Sequence, residues 1–158
     1  MLIRAYDASD LNQVIDVFYE TVHTINRADY TEVQLNAWAN KNERMEKLIG
    51  WQQSLYQNIA YVAVANSLII GFGDMTEKGY LDRLYVHADY QRCGAASAIL
   101  STLEDRARHL QLASITTDAS ITAKPFFEKR GFQVVAAQTV YRHGVALNNY
   151  KMEKKLTY

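Results

Sequence analysis

The sequence predicts an α/β (α+β) domain built on a mixed, mostly antiparallel central sheet with helices on both faces. Three features carry that prediction. The runs "IAYVAVAN" (59–66), "SLIIGFGDMT" (67–76) and "YLDRLYV" (80–86) are β-rich and follow one another across Asn66-Ser67 and Glu77-Lys78-Gly79, both hairpin-type turn signals. Ala96, Ile99, Leu100, Leu103, Ala107 and Leu110 then recur at helical spacing and lead into the strand-like "ASITTDA" (113–119), so this helix is a crossover. Finally, 158 residues suit one domain with a real core and leave little room for two.

The remaining elements follow in chain order. "LIRAY" (2–6) reads as a strand, and Asp7 or Ser9 caps a helix whose apolar stripe is Leu11, Val14, Ile15, Phe18, Val22 and Ile25. Residues 30–56 read as one or two helices, capped by Thr31 and broken near Asn40 to Asn42. "TAKPFFEKR" (122–130) is a short helix stopped by Gly131 as a left-handed cap. Two last strands, about 132–141 and 145–156, turn near His143-Gly144. No repeat, linker or low-complexity segment interrupts this layout.

Composition narrows the class of partner. Lysine plus arginine and aspartate plus glutamate number 17 each, so no broad basic field is present to hold nucleic acid or an anionic membrane. Any anion must be bound locally. Cys93 is the only cysteine, no leader-like segment opens the chain, and no apolar run approaches the roughly 20 residues of a membrane span, so a soluble cytoplasmic protein is expected. His23, His87, His109 and His143 are widely separated without ligand spacing, and no metal is expected.

The segment "DYQRCGAASAIL" (89–100) joins the third strand of the meander to the crossover helix through small residues. A helix N-terminus offers unpaired NH groups and a positive dipole end, which a phosphate reaches only where side chains do not hold it away. Gly94, Ala95, Ala96 and Ser97 leave that approach open, and Arg92 adds a charge. Tight packing of helix on sheet explains the same residues equally well. Neither G-x-x-x-x-G-K-[ST] nor G-x-G-x-x-G is present, which argues against a P-loop NTPase.

"LYVHADYQRCGAASAILSTLEDRA" resembles the acetyl-CoA signature of the GNAT superfamily, whose Q/R-x-x-G-x-G/A loop matches Gln91, Arg92, Cys93, Gly94, Ala95 and Ala96. "DASITAKPFFEKRGF" and "QLNAWA" are similar to the bacterial YafP-type branch, and the resemblance covers nearly the whole chain. It implies the GNAT fold and acetyl-CoA as cosubstrate. The pyrophosphate would sit on the amides of the 91–96 loop, and the pantetheine arm against Leu84, Tyr85 and Val86. The superfamily's N-x-x-A-x-x-x-Y pattern aligns with Ser120, Ala123 and Phe127, placing Ser120 and Phe127 at the cofactor. Phenylalanine therefore stands where the family usually has a tyrosine that protonates the departing thiolate.

Chemistry says which loss matters. An alkyl amine of pKa near 10.4 is only about 0.04% neutral at pH 7, a deprotonation cost of roughly 4.6 kcal/mol, so a base or water relay helps greatly. The leaving thiol, with a reference pKa near 8.5, needs a dedicated acid far less. Tyr80, Asp82, Leu84 and Val86 are expected to share one face of their strand, and Asp82 is the leading base because aspartate is disfavoured in an apolar strand. Its competing role is an ion pair with Arg83 or another arginine. Asp74 and Glu77 are alternatives that turn chemistry also explains. Tyr80 is a candidate to position substrate. Tyr30, Trp38 and Trp51 are candidates to line an acceptor pocket and attract a cationic amine, with packing as the alternative for each. Cys93 at a helix N-terminus could be a nucleophile, but direct transfer from thioester to amine needs none.

The expected function is acetyl transfer from acetyl-CoA to a primary amine of a small molecule or peptide. A non-catalytic acyl-CoA sensor and a protein-acetylating regulator are the alternatives, and a homodimer stays open.

Overall fold

Seven strands form one sheet in the order β1-β2-β3-β4-β5-β7-β6 in the computed structural model, which describes residues 1–158. The strands are β1 (Leu2–Ala5), β2 (Ile59–Ala65), β3 (Leu68–Met75), β4 (Tyr80–Val86), β5 (Ser114–Ser120), β6 (Gln133–Arg142) and β7 (Val145–Lys155). Every neighbouring pair is antiparallel except β4 with β5. The helices are α1 (Leu11–Thr24), α2 (Glu32–Trp38), α3 (Arg44–Gln57), α4 (Ala95–His109) and α5 (Lys124–Glu128).

Local chemistry accounts for the boundaries. Asp7 and Asp10 form a capping box ahead of α1, and Arg4 donates to both carboxylate oxygens of Asp10 at 2.8 and 3.0 Å. Thr31 and Gln34 form a second box that starts α2. The expected break near Asn40 is a single 3-10 turn, Lys41–Glu43, begun by the Asn40 side chain accepting from the Asn42 amide. Asn66 and Ser67 have φ of 51° and 65°, the left-handed pair that a two-residue hairpin turn demands. The short helix before Gly131 is smaller than expected, spanning only five residues with Pro125 in its first turn.

Two cores flank the sheet. On one side α4 buries Ile99, Leu100, Leu103 and Ala107 against Met75, Leu81, Ile115 and Met152, with Phe127 and Phe132 closing the end. On the other, α1 to α3 bring Val14, Ile15, Phe18, Leu35 and Leu55 against Val62, Phe72 and Leu147. Helix α4 lies so near the sheet that a Cβ on Gly73 would come within 2.8 Å of the Ile99 side chain.

Strand β4 is irregular in two ways. Its pairing with β5 consists only of Tyr80 with Thr116 and Leu81 with Thr117, reinforced by Thr117 Oγ1 donating to the Leu81 carbonyl at 2.9 Å. Beyond that clamp the two strands part. Asp82 also has no partner on β3, because Asp74 pairs with Arg83 and Met75 with Leu81, which is a β-bulge. The bulge overturns the expected single face. Leu84 and Val86 pack with Leu81 on the α4 side, whereas Arg83 and Tyr85 face α1 to α3, the side to which Tyr80 and Asp82 also open.

Candidate functional site

On the α4 side of the gap lies a cavity of about 160 Å³, floored by Leu84 and Val86 and walled by Gln91, Ala96, Phe126 and Phe127. Its rim is the loop leading into α4. Gln91 Nε2 donates to the Val86 carbonyl at 2.6 Å, and Thr21 Oγ1 donates to the same oxygen at 2.9 Å, so the loop and α1 are both tied to the end of β4. Arg92 and Gly94 have φ of 62° and 86°, and Gly94 is the N-cap of α4 without any side-chain cap. The first amides of α4 are therefore left for another acceptor. A Cβ at Gly94 would meet nothing within 4 Å, so glycine is needed here for its left-handed backbone rather than for space.

Other residues of the loop differ from expectation. Ser97 does not stand free, since its Oγ takes a short hydrogen bond from Arg130, whose guanidinium stacks 3.8 Å from the Phe126 ring centroid. Cys93 is exposed, and its thiol donates to the Tyr90 carbonyl at 2.9 Å. Phe127 is 4% exposed and packs edge-on against Phe126 and Phe132, with centroids 5.3 and 5.0 Å away. Ser120 Oγ accepts from the Ala123 amide at 3.0 Å and from Asn26 Nδ2 at 3.4 Å, fixing the start of the turn into α5.

Across the sheet a second cavity, of about 500 Å³, opens beneath α2 and α3. Tyr80, Asp82, Tyr30 and Trp38 all line it. Tyr85 and Ser120 line both cavities, which therefore meet at the gap between β4 and β5. The Tyr30 hydroxyl is fully used: it donates to the Asn148 carbonyl at 2.6 Å and accepts from the Ile121 amide at 3.0 Å. Trp38 packs edge-on against Tyr30, with centroids 5.4 Å apart. The Tyr80 hydroxyl donates to Asp118 Oδ2 at 2.8 Å, while Gln138 Nε2 donates to Asp118 Oδ1 at 2.7 Å. Burial, and then the Asp118 carboxylate, push the Tyr80 phenol above its ordinary pKa.

The carboxylates divide by role. Asp74 is fully buried and is no turn residue: Arg83 Nε and Nη2 reach its two oxygens at 2.9 and 2.5 Å, and Asn58 Nδ2 adds a third bond at 2.9 Å. Arg83 also donates to Ser54 Oγ and stacks on Trp51, 4.5 Å from its ring. The pairing of Arg83 with Asp82 is only a 3.6 Å approach, and the Asp82 side chain is 41% exposed. Desolvation raises the Asp82 pKa, Asp74 and Asp118 add to the rise, and Arg83 opposes it. Asp82 is thus a carboxylate with access, outside the structural pair. Glu77, Tyr141 and Tyr150 line neither cavity.

Asp118, Lys47, Arg130 and Arg142 were not singled out by the sequence. Asp118 carried the same signal as Asp82, an aspartate inside a strand. The other three are cations with no distinctive spacing. Two larger grooves, of about 900 Å³ beside α1 and His87 and about 760 Å³ between β1 and α3, share no residue with the two cavities at the gap. No group of three His, Cys, Asp or Glu side chains is placed to hold a metal ion, and no helix is long and apolar enough to cross a membrane.

Two cavities that share Tyr85 and Ser120 at the gap in a mixed sheet leave room for two ligands side by side. Residues 26–154 match the family model described as "Acetyltransferase (GNAT) domain". The chain is 37% identical over 153 residues to the uncharacterized N-acetyltransferase YafP of Escherichia coli (strain K12), covering 97% of this chain and 95% of that one. A GCN5-related N-acetyltransferase from Rhodopseudomonas palustris superposes with a TM-score of 0.91 at 28% identity, covering 98% and 95% of the two chains. The PaiA N-acetyltransferase from Thermoplasma acidophilum, solved in complex with coenzyme A, has the same fold at a TM-score of 0.77 and 24% identity, covering 98% of each chain. The chain belongs to the GNAT acetyltransferase family.

Proposed function

We propose that this protein transfers acetyl from acetyl-CoA directly to a primary amine, with the donor in the α4-side cavity and the acceptor in the cavity beneath α2 and α3. The observation that carries the reading is that the two cavities share Tyr85 and Ser120 in their walls. The uncapped amides of Ala95 and Ala96, behind Gly94 and beside Arg92, suit a pyrophosphate, and Arg130 next to Ser97 supplies a further cation. Leu84, Tyr85 and Val86, paired with β3 on one side, run along the gap where β4 has parted from β5 and suit a pantetheine arm.

In this reading Asp82, directly or through water, takes a proton from the acceptor ammonium. The neutral nitrogen attacks the thioester carbonyl, the now cationic nitrogen gives its second proton to solvent, the C–S bond breaks, and CoA leaves as thiolate, later taking a proton from solvent. Phe127 cannot protonate that sulfur. The low pKa of a thiol makes such a donor dispensable. The raised pKa of Asp82 suits it to the opposite task, because it holds a proton more firmly than an ordinary aspartate. An amine-panel thiol-release assay tests the reading: CoA should appear only when acetyl-CoA and an amine are both present. Tight acetyl-CoA binding without turnover on any amine would favour the sensor alternative. A mass shift on partner proteins, without turnover of small amines, would favour a protein-acetylating regulator.

A further inference from the structure

Not all the charged groups lining the acceptor cavity are paired with one another, and those left over describe a ligand. Lys47 Nζ, half-buried on α3, lies 5.1 Å from the Phe18 ring centroid and 6.0 Å from that of Trp51. It makes no hydrogen bond and no ion pair. The nearby Glu43 carboxylate is taken by His143 Nε2 at 2.6 Å. Arg142, at the end of β6, donates only to the Tyr141 carbonyl at 3.3 Å. Arg83 is held by Asp74, while Asp118 keeps its charge but has one oxygen engaged by the neutral Tyr80 hydroxyl and the other by the Gln138 amide. The half-buried Lys47, the exposed Arg142 at the rim and the accessible Asp82 carboxylate are therefore the charged groups of this cavity that no strong ion pair or saturating hydrogen bonds hold. Asn149 Oδ1, a further lining residue, is buried with no hydrogen-bond partner.

Resting on the acetyltransferase reading, we propose that the acceptor is a small amine that also carries an anionic group, carboxylate or phosphate, with its nitrogen at Asp82 and its anion at Lys47 and Arg142. A half-buried cation without a partner carries a desolvation cost that a bound anion recovers. The same two residues repel a polyamine or any acceptor whose second charge is positive. Between the charged groups the walls are aromatic, from Phe18, Trp38, Trp51 and Tyr85, so an apolar body suits the space between the two ends.

Initial rates of CoA release at low ionic strength test this with matched amines. Phenylalanine is compared with phenylalaninamide and phenethylamine, and phosphoethanolamine with ethanolamine. The anionic member of at least one set should exceed its neutral partners in kcat/KM by on the order of 10- to 100-fold, mainly through KM, the range of a charge-assisted hydrogen bond. The set in which the preference appears identifies carboxylate or phosphate as the anion. Lys47→Met and Arg142→Gln should each collapse that ratio toward one, and Lys47→Arg should keep most of it. Equal or faster turnover of the neutral amines overturns the inference and leaves the acetyltransferase reading standing. No turnover with any amine overturns both. A preference that survives Lys47→Met combined with Arg142→Gln, in protein whose circular dichroism is unchanged, overturns the assignment of the anion to these residues.

Discussion

Replacing Asp74 by alanine separates the structural carboxylate from the accessible one. The substitution leaves the Arg83 guanidinium, 8% exposed, without its two-point partner, and removes the acceptor of the Asn58 amide as well. Breaking a buried pair from one side costs about 3–5 kcal/mol. Arg83 keeps Ser54 Oγ and the Trp51 ring, which sets the expectation at the lower end, about 3 kcal/mol. For a domain of this size each kcal/mol moves Tm by roughly 2–4 °C, so a fall of roughly 6–12 °C is expected. Asp82→Ala breaks only an exposed 3.6 Å approach and should change stability by under about 1 kcal/mol. The double variant Asp74→Leu with Arg83→Met should recover much of the loss, because apolar residues of similar volume need no partner. Urea and thermal unfolding of the four proteins by circular dichroism decides the matter. A loss under about 1 kcal/mol for Asp74→Ala, or a double variant no more stable than the single one, would refute the assignment.

Further outcomes concern the pH profile, the α4 loop and Cys93. Because the Asp82 pKa is raised, the acid limb of kcat/KM should lie above the usual carboxylate range, and Asp82→Asn should remove it while lowering the rate at neutral pH. The linked sign for stability is unfavourable: ionised Asp82 costs stability at neutral pH, and the cost disappears as pH falls below its unfolded pKa of about 3.9, so Asp82→Asn should melt slightly higher than wild type near pH 7 only. An alkaline limb below about pH 10 is not expected, because burial raises the phenols of both Tyr80 and Tyr85, the tyrosines nearest the gap, above their ordinary value; its appearance would refute a route in which no protein acid protonates the sulfur. Gly94→Ala should weaken acetyl-CoA binding in calorimetry, since alanine at φ of 86° costs about 1 kcal/mol or more even in open space; unchanged affinity would remove the loop from the donor site. Saturating CoA should slow maleimide alkylation of the exposed Cys93, and equal rates with and without CoA would place the phosphates elsewhere.

Local signals in the sequence located most of the fold. Thr31 with Gln34, Asn66 with Ser67, and the stripe from Ala96 to Ala107 each encode an element within a few residues, and all three elements are present. The helix-opening loop was legible for the same reason. The bulge at Asp82 was not, because an unpaired residue is defined by the register of two strands and has no composition of its own. At the end of its run Asp74 looks like a turn former, although its partner stands across the sheet. Asp118 follows two threonines rather than an apolar run, so it stood out less than Asp82. Lys47 and Arg142 come from α3 and β6, and only folding brings two such ordinary surface residues to one cavity.

The bulge makes the accessible carboxylate an inserted part of the strand rather than one of its regular positions. With residue 82 removed, Leu81 and Arg83 would become consecutive and would oppose Met75 and Asp74 in ordinary alternation, each still facing the side it faces now. The hairpin, the buried ion pair and the strand's contact with α4 would all keep their places while the cavity beneath α2 and α3 lost its accessible carboxylate. If Asp82 is the base proposed above, deletion of a single codon should abolish turnover with less harm to the fold than most substitutions in β4. In an alignment of related chains, a one-residue gap at this point would mark the loss of the carboxylate as surely as an exchange to asparagine.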